Sequence, residues 1–282
     1  LFEVSGERQV PIHVHVRRGY TGDIAGLIEV VDLAKETKAP LFVVHITHNA
    51  MGQLSERLEI IDDANGAGAN IATETLSYAA GGTSISADVF RNRDWQGMFD
   101  ITHEDVQWVA TGEWLTEETW NKYAREQPGG AVNHHYVKED WIETALKWPR
   151  MMVATDALPA VDLRVKTNPN VAGTFSRVLG HYVRDTGLLT LSDGLARMSL
   201  YQAQWLSQSS SSFDKKGRIQ LGADADIVIF DPIKVQANAA YGDPYQPPSG
   251  IPYVVVAGQI VVKNSVVVAG VYPGKRILGD TK

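Results

Sequence analysis

Apolar and polar positions alternate with two different periods along the 282 residues, and the changes of period divide the chain. Val10-Pro11-Ile12-His13-Val14-His15-Val16 is a β-branched run with its polar residues two apart, the pattern of a half-buried strand. Over 23–38 the apolar residues Ile24, Leu27, Ile28, Val31 and Ala34 fall on one helical stripe. A second apolar strand, Leu41 to Ile46, follows Pro40, and a helix over 51–64 carries Leu54, Leu58 and Ile61 at helical spacing. Gly66 and Gly68 end that helix before a third strand over 69–74. Strand–helix–strand–helix–strand with short connections predicts parallel strands in a βαβ architecture.

Residues 79–150 are less regular and read as an insertion. Thr116, with Glu117 and Glu118 behind it, opens a helix that Pro128-Gly129-Gly130 closes. Six of the seven tryptophans fall in this stretch, which suits a lid or a surface for homo-oligomer formation, with ordinary core the plainer reading. Met151-Met152-Val153-Ala154-Thr155 then forms a buried-type strand that runs straight into Asp156. Phe175, Val178, Leu179, Tyr182 and Val183 predict a helix over 173–184 packed along one face, and Ser192 is expected to cap another over 193–206. Beyond the connector Ser207 to Ser212 the pattern turns to short β-branched runs at 227–230, 253–256, 259–262 and 266–268, separated by Gly, Asp and Asn turns. Two domains are expected, an α/β unit over 1–206 and a smaller all-β unit over 207–282.

Composition removes several classes of function. The chain is 44% hydrophobic and 21% charged, ordinary for a globular protein. Its formal charge is −7, with 26 basic and 33 acidic residues interspersed; without a basic stripe, nucleic acid is not an expected partner. The longest uncharged apolar run, Ile251 to Val262, is far short of the ~20 residues of a membrane-crossing helix, so no membrane partner is expected and a cytoplasmic location is. There is no cysteine, so a transition-metal site must draw on His, Asp, Glu or a modified Lys. The chain opens at Leu1 with neither an initiator Met nor a leader pattern, and is expected to be a mature end or a fragment.

In a parallel α/β barrel, chemistry sits at the carboxyl ends of the strands. Here those ends carry His13, His15 and Arg17, then His45 and His48, then Glu74 and Tyr78, and finally Asp156. Imidazoles and a carboxylate gathered there suit one or two divalent ions that polarise a carbonyl and acidify water, with a carboxylate taking the proton. Each residue also has a plainer reading: His45 as a hydrogen-bonded core imidazole, His13-Val14-His15 as the polar face of a strand, Asp156 as a capped or paired carboxylate. His134-His135 reads as a surface pair, and His48, His103 and His181 as structural. Arg17 is a chemical candidate for pairing with a substrate carboxylate.

Three segments resemble a known family. Gly173-Thr174-Phe175-Ser176-Arg177-Val178-Leu179-Gly180-His181-Tyr182-Val183-Arg184 is similar to a helix of the N-acyl-D-amino-acid deacylases (D-aminoacylases). Gly217 to Pro232 resembles the return of amidohydrolase-superfamily chains into a small β-sandwich, and Pro40 to His45 with Thr73 to Tyr78 resembles barrel strands five and six. The resemblance is to the C-terminal part of such an enzyme, with some likeness to dihydropyrimidinases and hydantoinases. It implies about strands four to eight of a (β/α)8 TIM-type barrel plus part of a β-sandwich, with the N-terminal part of the same enzyme as missing partner. It implies zinc, one or two ions, with His45 as the strand-five ligand and Asp156 as the strand-eight residue that binds metal and shuttles the proton. It puts His13-Val14-His15 on strand four and brings Tyr78 to the substrate, at a position where hydantoinase-like relatives carry a metal-binding histidine. Asn168-Pro169-Asn170 stands where the family has His-Pro-Arg. The implied activity is hydrolysis of a small-molecule amide, first an N-acyl-D-amino acid. The alternatives are a cyclic amide, or a metal-free homologue serving as a subunit.

Overall fold

A computed structural model describes residues 1–17, 22–91, 94–157 and 162–280. Four short strands, β1 (Ile12–Val14), β2 (Leu41–Val43), β3 (Ile71–Thr75) and β8 (Met152–Val153), form one parallel sheet in that order. Ile12 lies opposite Leu41 and Leu41 opposite Ile71, so the first three strands start level; β1 and β2 end level and β3 runs two residues further. Parallel strands in this register bring their C-terminal residues to one mouth.

The two faces of the sheet bury different partners. Leu41, Val43 and Ile71 pack against Leu27, Val31 and Ala34 of the helix Ala25–Thr37 and against Leu54, Leu58 and Ile61 of the helix Leu54–Gly66. These are the stripes that the helical spacing predicted, and their burial is what turns an amphipathic pattern into a layer. On the opposite face Phe42 and Met152 meet Trp205, and His13 stacks on Phe42 with ring centroids 4.6 Å apart. Thr73 Oγ1 donates to the Val43 carbonyl at 2.7 Å, and the buried hydroxyls of Thr47 and Thr75 meet at 2.8 Å, which ties the ends of β2 and β3 together.

The insertion forms a unit of its own. Strands β4 (Gly81–Ser84), β5 (Val106–Trp108), β6 (Glu113–Trp114) and β7 (Ala131–His134) make an antiparallel sheet in the order β4-β7-β5-β6. Its core is aromatic: Trp95 stacks on Trp120 at 5.0 Å, and Phe90 meets both rings edge-on. Trp95, Trp108 and Trp120 are buried as core, while Trp114 is half exposed. Thr116 caps the helix Glu117–Glu126, its side chain accepting from Thr119 N, as its position ahead of two glutamates predicted.

Several expectations change. Four parallel strands are present among the described residues instead of five, and β3 hydrogen-bonds directly to β8, Glu74 opposite Met152. The helix Asn170–Arg177 widens into a π-helical stretch, Val178–Asp185. Val178, Leu179 and Tyr182 are buried as expected, but Phe175 is 47% exposed, and Thr174 and Ser176 are buried instead, because the packed face shifts where the turn widens. The cap before 193 is Thr190, whose side chain accepts from Asp193 N; Ser192 lies within the helix. The C-terminal strands β9 (Ile227–Ile229), β10 (Tyr253–Val256), β11 (Gln259–Lys263) and β12 (Val266–Val267) form a single antiparallel layer with no buried residue in any of them. Among the described residues no helix is long and apolar enough to cross a membrane.

Leu58 is fully buried between its helix and the parallel sheet. Leu58→Ala is expected to cost about 2–5 kcal/mol through lost transfer energy and the cavity left behind. The midpoint of denaturant unfolding should fall with little change in slope.

Candidate active site

At the mouth where β1, β2 and β3 end, the rings of two histidines face each other. His15 follows β1 and His45 follows β2, and His15 Nδ1 lies 3.0 Å from His45 Nε2, with the rings edge to face at 4.7 Å. His45 has φ of 37°, a left-handed conformation costly for a residue with a Cβ, at the start of the helix Ile46–Ala50. Asp156, beyond β8, has φ of 46°. The two residues singled out from the sequence for strand-end chemistry therefore both sit in strained backbone, the kind of strain that gathers at functional sites.

Glu74, at the end of β3, completes the cluster. Its Oε1 accepts from the His45 backbone N–H at 3.4 Å. Burial pushes its carboxyl up to about 7, partly opposed by that hydrogen bond and reinforced by the charge of Asp156. Burial likewise lowers His45; the Asp156 charge opposes that shift and His15 adds to it. Asp156 is thus close enough to act electrostatically on both groups. His48, deeper in the same helix, is held down to about 3, first by burial and then by repulsion from His45.

The histidine pair suits a divalent cation in one respect and falls short in another. Zinc binds imidazole nitrogen at ~2.0–2.1 Å in a tetrahedron, which sets two nitrogen ligands about 3.3 Å apart. The observed 3.0 Å is close to that bite. Asn49 Nδ2 lies 3.3 Å from His45 Nδ1, and Asn49 Oδ1 is buried without a partner among the described residues. Turning that amide over would let Oδ1 accept from Nδ1–H and free the Nε2 lone pair toward His15, as in metal-bound histidines whose other ring nitrogen donates to a neighbouring oxygen. These residues fit as two donors of a set. Among the described residues, no three His, Asp or Glu groups are arranged to hold an ion by themselves.

The sequence pattern missed how the residues would divide. His13-Val14-His15 does not act as one pair: His13 stacks on Phe42, and only His15 reaches His45. Period-2 alternation places Glu74 on a different face from Thr73 and Thr75, and that was the available signal for it. Tyr78, expected near the substrate, is buried, and its hydroxyl donates to the Ala239 carbonyl at 3.0 Å. Arg17, expected to pair with a substrate carboxylate, has its guanidinium paired with Glu29 on the exposed side of the helix Ala25–Thr37. His134, read as surface, is buried and held down to about 3 by burial and by His48.

A parallel α/β sheet with imidazoles and carboxylates converging at its carboxyl mouth is the arrangement in which barrel-type α/β proteins place their functional residues. The chain belongs to the amidohydrolase family, whose model matches residues 1–262. D-aminoacylase from Alcaligenes xylosoxydans xylosoxydans is 29% identical over 258 residues, covering 86% of this chain and 50% of that protein. N-acyl-D-glutamate deacylase from the same organism is 28% identical over 256 residues, with 86% and 50% covered. Among solved structures, N-acyl-D-glutamate deacylase from Bordetella bronchiseptica, complexed with zinc and a phosphonate inhibitor, aligns with a TM-score of 0.77 at 27% identity over 93% of this chain and 55% of that one. D-hydantoinase aligns with a TM-score of 0.56 at 16% identity, covering 95% and 60%, and shares the fold. The chain spans about half the length of the curated relatives it matches.

Glu74 gives the cluster a pH signature. Its carboxyl stays protonated in the fold up to about 7, against an ordinary value of 4.5. Its contribution to stability is therefore full below about pH 4.5 and is lost as pH rises through about 7. Glu74→Gln, which keeps an acceptor for His45 N, should raise the melting temperature relative to the parent at pH 8 and change it little at pH 4.5.

Proposed function

We propose that this chain forms the catalytic half of a metal-dependent amidohydrolase that deacylates N-acyl-D-amino acids. The observation that carries the reading is the His15–His45 contact, with Glu74 bonded to the His45 backbone and Asp156 within electrostatic reach. The relatives named D-aminoacylase and N-acyl-D-glutamate deacylase support the substrate class. The direct pairing of β3 with β8 supports counting the four strands as consecutive barrel staves. With Asp156 after the eighth, His45 follows the sixth and His15 the fifth, each one stave later than the resemblance alone implied.

His15 Nδ1 and His45 Nε2 would hold the metal, zinc by analogy with the related structure, with remaining donors from the half of the relatives' length that this chain does not span. When bound, the ion supplies Lewis acidity for polarising an amide carbonyl and acidifying water. Asp156 takes a proton from the attacking water on a carboxylate oxygen and returns it to the leaving nitrogen, so that amide and water become acid and amine. Glu74, whose carboxyl burial pushes up to about 7, carries less than a full negative charge beside it near neutrality and holds the His45 backbone in place. Asn49 orients the His45 ring through Nδ1.

Two experiments test this assignment. Asp156→Asn should abolish hydrolysis of N-acetyl-D-amino acids while the circular dichroism and metal content stay at parental levels; retained turnover removes Asp156 from the chemistry. Asn49→Leu should weaken zinc binding by about 10–100-fold in a chelator competition, the range for lost second-shell partners. An unchanged affinity would remove Asn49 from the site.

A further inference from the structure

The motif over 173–184 supplies none of the groups assigned to the chemistry, yet four of its residues converge on one dipeptide, Ser77-Tyr78. Arg177 Nε donates to the Ser77 carbonyl at 2.7 Å, and the Tyr182 hydroxyl lies 3.4 Å from the same oxygen. The Ser77 hydroxyl in turn donates to the Thr174 carbonyl at 3.4 Å. Gly173 lets the phenol of Tyr78 come close, since a Cβ there would stand 2.1 Å from the Tyr78 Oη. The Arg177 guanidinium sits over the Tyr78 ring, 5.3 Å from its centroid.

One carboxylate locks this contact. Glu139, in the first turn of the helix Glu139–Lys147, accepts on Oε1 from Arg177 Nη2 at 2.9 Å and from the Tyr182 hydroxyl at 2.6 Å. His181 Nε2 stands 3.5 Å from the same oxygen. That helix belongs to the insert, so the insert, the motif helix and Ser77 meet in a single network. Hydrogen bonds to charged groups are about twice as strong as neutral ones, and burial of Tyr182 and Ser77 keeps water from competing.

The other flank of the same segment faces the histidines. Glu74 accepts from the His45 backbone N–H, and the Thr75 hydroxyl meets that of Thr47 at 2.8 Å. The β3 ladder ends at Thr75, so past that point side chains must hold the chain. Residues 74–78 thus carry two hydrogen bonds into 45–47 on one side and the Arg177 network on the other. Thr75, Leu76 and Ser77 are buried, and a close-packed segment passes a displacement at one end on to the other.

We propose that Arg177 is a positioning residue for the His15–His45 pair: with Glu139 it clamps Ser77, and through residues 74–78 it fixes the backbone at His45. The consequence for metal binding rests on the deacylase reading; the mechanical coupling stands apart from it.

The test is amide hydrogen exchange, read by mass spectrometry on the full chain without added metal. Arg177→Met should speed exchange over 44–50 and 74–78 by about tenfold or more, as a local opening, and leave the helix Ala25–Thr37 within about twofold of parent. Glu139→Gln keeps an acceptor for Tyr182 but drops the charge that holds Arg177, so it should speed the same two segments by a smaller factor. In chelator competition, zinc affinity should fall by about tenfold in Arg177→Met. Acceleration spread over the whole chain in both variants is what a merely structural role would give, and it would overturn the proposal. So would unchanged exchange over 44–50, or unchanged zinc affinity where the parent binds zinc. If the parent binds no zinc, the metal reading fails, and exchange over 44–50 alone decides the clamp.

Discussion

Two imidazoles held nitrogen to nitrogen at the carboxyl edge of a parallel sheet are the interaction on which the rest of the site depends. They come from different strands, 30 residues apart in sequence, and meet because β1 and β2 run parallel in a register that ends them level. Slipping β1 by one residue would turn His15 to the other face and leave His45 without its neighbour. Register is held against such a slip by burial of Leu41, Val43 and Ile71 under two helices, and by the Thr73–Val43 and Thr47–Thr75 hydrogen bonds. Stability of the outer layer and geometry of the mouth are thus the same problem.

Burial then sets the protonation of the cluster. Taking Glu74 and His45 out of water disfavours the charged form of each, so the carboxyl rises and the imidazole falls, toward a pair neutral near pH 7. A site of this kind favours binding of a cation by neutral nitrogen, because only the unprotonated ring has a lone pair to give. Asp156 is the carboxylate whose charge acts on both. Its left-handed backbone, like that of His45, is a local cost that the surrounding packing sustains.

The inserted unit follows a different logic. Its stacked indoles and phenyl ring build a rigid aromatic core. Family membership covers residues 1–262, the insert included, while the aromatic core of the insert is a feature that fold alone does not predict.

The sequence by itself determined the periodic elements. The βαβ opening, the stripes of Leu27, Val31, Leu54 and Leu58, the Thr116 cap and the strand leading to Asp156 were all legible, because local spacing and capping chemistry act within a few residues. The motif of the 173–184 helix also pointed to the family. Only tertiary structure decided that His15 and not His13 meets His45, that Glu74 joins them, and that Tyr78 and Arg17 are already engaged by Ala239 and Glu29. It decided, too, that β3 pairs directly with β8 across an insertion of some 70 residues, and that Gln107 lies opposite Asn133. The physical reason is common to all of these. Pairing between distant segments depends on register and on competition for partners, and neither is written in the periodicity of any one segment.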